Sequence, residues 1–143
     1  MSTDTLTGRA RTLTIWAGRL IVLVSAMHLL FFLVRSLEFV PDWASGVLWA
    51  APSMDEPMPQ AQGFFFQLLG SFAVPLLLVG LLLWRSATEG RALPGYVTWV
   101  VAGWSLVCAL VMPPSGFPLL VVASVLLVLA RRAAPHPRRD AAR

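Results

Sequence analysis

The chain has 143 residues, 57% of them hydrophobic and only 13% charged, with a net charge of +4 at pH 7. That apolar share leaves too little polar surface to cover a water-soluble domain, and lipid is the solvent that tolerates it. A single cysteine, Cys108, excludes an internal disulfide or a cysteine-rich metal centre. The eleven basic residues, all Arg, form no stripe interleaved with stacking aromatics, which excludes nucleic acid as a partner.

Four stretches approach the roughly 20 apolar residues that a spanning helix needs: residues 13–34, 64–84, 93–112 and 115–130. The fold class expected is therefore all-α, an integral membrane four-helix bundle over residues 13–132. A cytoplasmic N-terminal segment (1–12) and a basic cytoplasmic tail (133–143) flank it.

The first span has no small-x-small cleavage site after it, so it is read as a helix and not as a signal peptide. It carries Arg19, close enough to the inner interface to snorkel toward lipid phosphate. It also carries His28, which shares a helical face with Ile21, Ser25, Phe32 and Arg35. With Ser25 and Gln67 of the second span, His28 forms the candidate proton or ligand site, since histidine changes charge near neutral pH. A neutral imidazole bonded to a carbonyl, to Ser25 or to Gln67 is the blander and favoured reading.

The outer loop, residues 36–63, is too long for a turn and holds Pro41, Pro52, Pro57 and Pro59 with Trp43 and Trp49. Asp42 is predicted to cap a short interfacial helix running to Ala51, with its Trp residues at the membrane surface. Met54 and Met58 lie among carboxylates and prolines. Without Cys or a neighbouring His they make a weak ligand set, so a stiff linker and no metal is expected.

In the second span Gly63, Gln67, Gly70 and Val74 recur at spacings of 4, 3 and 4, with Ser71 beside them, which predicts a buried helix-packing face. Pro75 predicts a kink in mid-span. In the third span Gly95, Thr98, Ala102, Ser105 and Ala109 recur at 3, 4, 3 and 4, predicting a close helix–helix seam. The fourth is short for a span, with Ser115 as its expected cap and Pro118 in its first turn. Arg131 and Arg132 at its end are expected, like Arg19, to anchor on lipid phosphate.

Orientation follows the arginines. Arg9 and Arg11, Arg85 and Arg91, and Arg131 to Arg143 flank the spans on one side, whereas the outer loop carries Glu38, Asp42, Asp55 and Glu56. Both termini are therefore expected in the cytoplasm.

Trp16-Ala17-Gly18-Arg19-Leu20 followed by His28, the run Phe72-Ala73-Val74-Pro75-Leu76-Leu77-Leu78-Val79-Gly80, and Met112-Pro113-Pro114-Ser115-Gly116-Phe117 resemble a family of small bacterial four-span proteins known as domain of unknown function 6463. The Gly-Arg-Leu to His28 spacing and the Met-Pro-x-Ser-Gly-Phe turn are the distinguishing parts, and Pro118 departs from the bulky apolar residue expected there. The resemblance implies a bacterial cytoplasmic membrane location and the four-span topology. It implies no activity.

No phosphate loop, dinucleotide fingerprint, Cys-x-x-Cys or paired histidines occur, and the acids lie outside the spans, so no enzyme and no cofactor is expected. The expected role is a non-catalytic accessory or interaction protein of the bilayer, partnered by lipid and by another membrane protein or a second copy. The alternative is a small homodimeric proton-coupled transporter or ligand-binding protein using His28, with Pro75 as its flex point.

Overall fold

The computed structural model describes residues 6, 8–50 and 57–134. It is all-helical: α1 (Gly8–Ser36), α2 (Val40–Ala44), α3 (Gln60–Leu68), α4 (Ala73–Thr88), α5 (Gly95–Val111) and α6 (Phe117–Ala133), with single 3-10 turns at Leu37–Phe39 and Val47–Trp49. At about 1.5 Å per residue α1 is about 43 Å long, while α5 and α6 are about 25 Å each. Two helical runs, Gly8–Ala44 and Gln60–Thr88, are long and apolar enough to cross a membrane, and α5 is a shorter apolar helix.

α1 is the central element. It packs lengthwise against α4 and α6, its C-terminal half receives α3, and α5 packs on α6. The long helices follow the order of neighbours α4, α1, α6, α5. α5 buries one narrow face through Thr98, Val101 and Ser105 and presents Tyr96, Trp99, Val100, Val107 and Leu110 outward. Its Trp104 ring meets that of Phe72, just before α4, at 5.5 Å.

The interior is built from small residues. Ala10, Ala17, Gly18, Ala61, Ala73, Gly80, Ala87, Ala123 and Ala130 are buried, together with Thr14, Ser25, Ser105 and Ser124. Around Ala17 and Ala123, the residues Ile21, Val24, Leu83, Val101, Leu120 and Leu127 complete one core. Buried hydroxyls bond locally where they can: Thr14 Oγ1 donates to the Ala10 carbonyl at 2.9 Å and Ser124 Oγ to that of Leu120 at 2.8 Å. Ser25 and Ser105 have no such partner among the described residues.

The second long helix is not continuous. An α-helix over residues 60–68 ends, and another begins at Ala73. The expected mid-span kink at Pro75 is therefore a break one turn earlier, which is where proline acts: its ring clashes with the carbonyl of residue i−4, here Ser71, and its missing N–H leaves that carbonyl unbonded. Restarting at Ala73 places Pro75 in the first turn of α4, where no donor is needed. Gly70 belongs to the same break, since a Cβ there would lie 2.8 Å from the Phe66 ring. Ser71 Oγ spans the gap, accepting from the Ala73 N–H and donating to the Leu68 carbonyl, both at 3.3 Å.

The predicted loop helix is also shorter than expected. Phe39, with no side-chain bond, occupies the cap position of α2, and Asp42 falls in its first turn, because Pro41 at the helix start takes the place that suits proline best. Gly46, at φ +98°, then ends it. The loop folds onto α3: Trp43 Nε1 donates to the Ala61 carbonyl at 2.8 Å, and buried Gln62 donates from Nε2 to the carbonyls of Val47 and Ala50. Met54 of the metal-linker reading lies outside the described residues, and Met58 is exposed. At α6, Ser115 Oγ accepts from the Phe117 N–H at 3.3 Å, one residue ahead of the cap position held by Gly116.

Candidate functional site

The break between α3 and α4 organises the site proposed around His28. A helix that stops leaves its last carbonyls without intrahelical donors. One of them, on Gln67, lies 3.1 Å from His28 Nε2 of α1. A carbonyl only accepts, so Nε2 carries the proton and the imidazole donates. The ring sits half-buried, 4.7 Å from Phe32, and Phe32 leads through Phe64 to Phe39 of the loop. His28 thus ties the outer half of α1 to the end of α3.

Of the three residues grouped from the sequence, two meet, but through the main chain of Gln67; its side chain is exposed. Ser25 is only 1% exposed, one turn below His28, with its hydroxyl unpartnered among the described residues.

The packing face read on the second span is not the buried one. Gly63 is half-buried with open space around it, and Gln67, Gly70 and Val74 are exposed. Residues 69–72 are not α-helical, so Gly63 and Gln67 lie on α3, Gly70 in the break and Val74 on α4. The third-span residues fare differently: Thr98 and Ser105 are buried against α6, with Gly95, Ala102 and Ala109 half-buried.

The closest seam lies elsewhere, between α1 and α4. A Cβ on Gly18 would lie 2.7 Å from the Trp84 backbone nitrogen and 2.9 Å from the Gly80 carbonyl oxygen; one on Gly80 would lie 2.9 Å from Ile21 Cγ2 and 3.0 Å from the Val22 backbone nitrogen. Each glycine has its necessary space in the other helix. The signal was present in the sequence as two isolated glycines on different spans, a pattern that periodicity within one helix does not reveal.

The arginines divide by what they touch. Arg11 donates to the carbonyls of Ala87 (3.0 Å) and Thr88 (2.6 Å), satisfying the C-terminus of α4, where a cation also complements the helix dipole. Arg131 Nη1 donates to the Gly95 carbonyl at 2.7 Å, its guanidinium occupying the space that a side chain at Gly95 would fill. Arg132 is exposed. Arg85 and Arg91 both pair with Glu89, and these partners hold its carboxyl below the usual carboxylate range, the Arg85 hydrogen bond foremost. Arg19 Cζ lies 5.3 Å from the Trp16 ring and 5.0 Å from the Trp84 ring. Among the described residues no three His, Cys, Asp or Glu side chains gather as metal ligands.

The profile of the family of unknown function DUF6463 matches residues 12–134, from the first turns of α1 to the end of α6. The chain belongs to that family. Comparison with curated proteins returns no match, and comparison with solved structures returns none either. Residues 12–134 include both Gly18 and Gly80, His28 and the broken second helix.

Proposed function

We propose that this DUF6463 chain is a multi-pass protein of the bacterial cytoplasmic membrane, with both termini in the cytoplasm, that acts as a non-catalytic accessory protein packing against another membrane protein or a second copy of itself. The observation that carries the reading is the distribution of side chains by size. Alanine, glycine and serine line much of the interior beside Ile21, Leu83, Leu120 and Leu127, while Trp16, Leu30, Phe31, Val34, Leu78, Trp99, Val107, Leu110 and Val111 stand on the outside. In water such a surface aggregates; in lipid it is the stable arrangement, because acyl chains solvate large apolar side chains and close backbone contact holds the helices together.

Orientation draws support from the contacts at one end of the molecule. Arg11 of α1, bonded to the end of α4, and Arg131 of α6, bonded to Gly95 of α5, bring the start of α1, the end of α4, the start of α5 and the end of α6 together, and Leu6 N–H bonds the Gly90 carbonyl at 2.7 Å. That end gathers Arg11, Arg85, Arg91 and Arg131, as the cytoplasmic side of a membrane protein does. An accessory role is favoured over transport because the His28 Nε2 proton is committed to a carbonyl and no Asp or Glu lies within α1 or α3 to α6.

Alkaline carbonate extraction followed by native mass measurement in lipid nanodiscs tests this. The expected result is a protein that stays with the membrane and carries a second copy or another chain. Release by carbonate overturns the membrane reading, and a homodimer that holds a small molecule reproducibly and loses it in the His28→Ala variant overturns the accessory one.

A further inference from the structure

We infer that Arg19, clasped by the indoles of Trp16 and Trp84, is a binding site for the phosphate oxyanion of an anionic lipid in the leaflet on the arginine-rich side. The inference rests on the membrane reading above and goes beyond the snorkelling expected of an arginine near an interface, because here the side chain is held and its platform comes from two helices.

Arg19 stands about 16 Å along α1 from Gly8 at about 1.5 Å per residue. Unlike Arg11, Arg85, Arg91 and Arg131, it has no hydrogen bond or ion pair among the described residues, and it is exposed. Arg9, Arg35 and Arg132 lie near helix ends; Arg19 is a cation in mid-helix. Glu89, the acidic residue at that end of α4, is already engaged by Arg85 and Arg91. A full positive charge at the edge of hydrocarbon requires a counter-charge.

The platform defines how that charge is met. Both indoles lie within about 6 Å of the guanidinium carbon, the range in which the negative faces of the rings attract the cation. Ring faces take up no N–H donor of the planar group, so its five donors are left to an acceptor approaching along its edge, and a phosphate presents two oxygens that match such a fork. Helical side chains lean toward the N-terminus of their helix, here toward Trp16 and the arginine-rich end. In the other direction Leu23, exposed one turn above, offers an acyl chain apolar surface. A phosphodiester carrying a hydrocarbon tail fits both parts; inorganic phosphate fits one.

Gly18 explains why Trp84 reaches Arg19 at all. Only a residue without a Cβ leaves room for the Trp84 backbone, whose nitrogen would lie 2.7 Å from a Cβ placed there, and that close approach sets the indole beside residue 19. The Gly-Arg pair within Trp16-Ala17-Gly18-Arg19 thus reads as one device.

The test is native mass measurement of the full chain from nanodiscs made of phosphatidylcholine with a minor share of phosphatidylglycerol, scoring phosphatidylglycerol molecules retained, alongside thermal unfolding. Arg19→Gln and Trp84→Leu are expected to lower retention at least fivefold, and Arg19→Lys severalfold for want of the fork, while Arg9→Gln, at an exposed charge of the same end, changes it less than twofold. Equal losses in Arg19→Gln and Arg9→Gln overturn the site and leave general charge attraction. Retention unchanged in Arg19→Gln with a lowered unfolding temperature also overturns it, assigning Arg19 to holding α1 on α4. Displacement of the lipid by millimolar inorganic phosphate assigns the site to a free anion and overturns the lipid source. A chain that does not enter nanodiscs fails the membrane reading, a result separate from all of these.

Discussion

The α1–α4 seam and the α5–α6 seam are both contacts between apolar helices, yet they are made differently. In the first, two glycines on opposite helices interlock and an arginine crosses over to cap the partner's carbonyls. In the second, every buried residue of either helix carries a Cβ, and Gly103 on α5 faces open space. Where two backbones touch, any added atom has nowhere to go. Where side chains separate them, an added methyl displaces something soft.

Substitutions sharpen this contrast, and the largest effect is expected at the glycine pair. Gly18→Ala or Gly80→Ala forces backbone apart and should cost about 2–3 kcal/mol, read as the unfolding free energy in detergent or lipid. If either is neutral, the two helices are not in backbone contact. Arg11→Gln removes two charge-assisted bonds to the end of α4 and should cost about 1–2 kcal/mol, less than a buried equivalent because the site is partly exposed. Hydrogen exchange should then quicken at the end of α4 and not in α5. His28→Ala leaves the Gln67 carbonyl unpaired and should cost about 1 kcal/mol, with His28→Asn recovering part of it, since an amide still donates. Glu89 titration gives a smaller effect of fixed sign. Its carboxyl ionises more readily in the folded chain, so the stabilisation is present above the usual carboxylate range and is lost as pH falls through the lowered value; Glu89→Gln should flatten that acid limb. No loss at all is expected at the far end of the series: Gly103→Ala meets nothing within 4 Å and should be neutral or slightly stabilising through helix propensity.

Helical class and the positions of the apolar segments were legible from composition and run length, because both are sums over many residues. The ends of α1 differ from the expected 13–34 by a few residues, and those of α5 by two at one end and one at the other. Features that depend on a partner element were not legible. The glycine seam requires knowing that α1 meets α4, and the capping by Arg11 requires knowing that α4 ends beside it; from the sequence, Arg11 is only a flanking charge. The break before Pro75 was half legible: the proline announces a disturbance, and Gly70 and Ser71 decide where it falls. Once the helix breaks there, Gly63 and Gln67 belong to α3 and Val74 to α4, so a spacing argument that assumes one helix no longer predicts which of them is buried. For the candidate site, the meeting of His28 with residue 67 was anticipated, while the identity of the acceptor depended on the helix end.

The unequal helix lengths have a consequence for the bilayer itself. Placed in lipid as proposed, α1 at about 43 Å exceeds a hydrocarbon layer of about 30 Å, whereas the hairpin of α5 and α6 at about 25 Å falls short of it. The two sides of one molecule then ask for different membrane thicknesses, and lipid must slope from one to the other at a cost of fractions of a kcal/mol for each ångström of mismatch. No single thickness suits both sides, so a neighbour whose own spans are short would relieve the slope if it sat on the hairpin side.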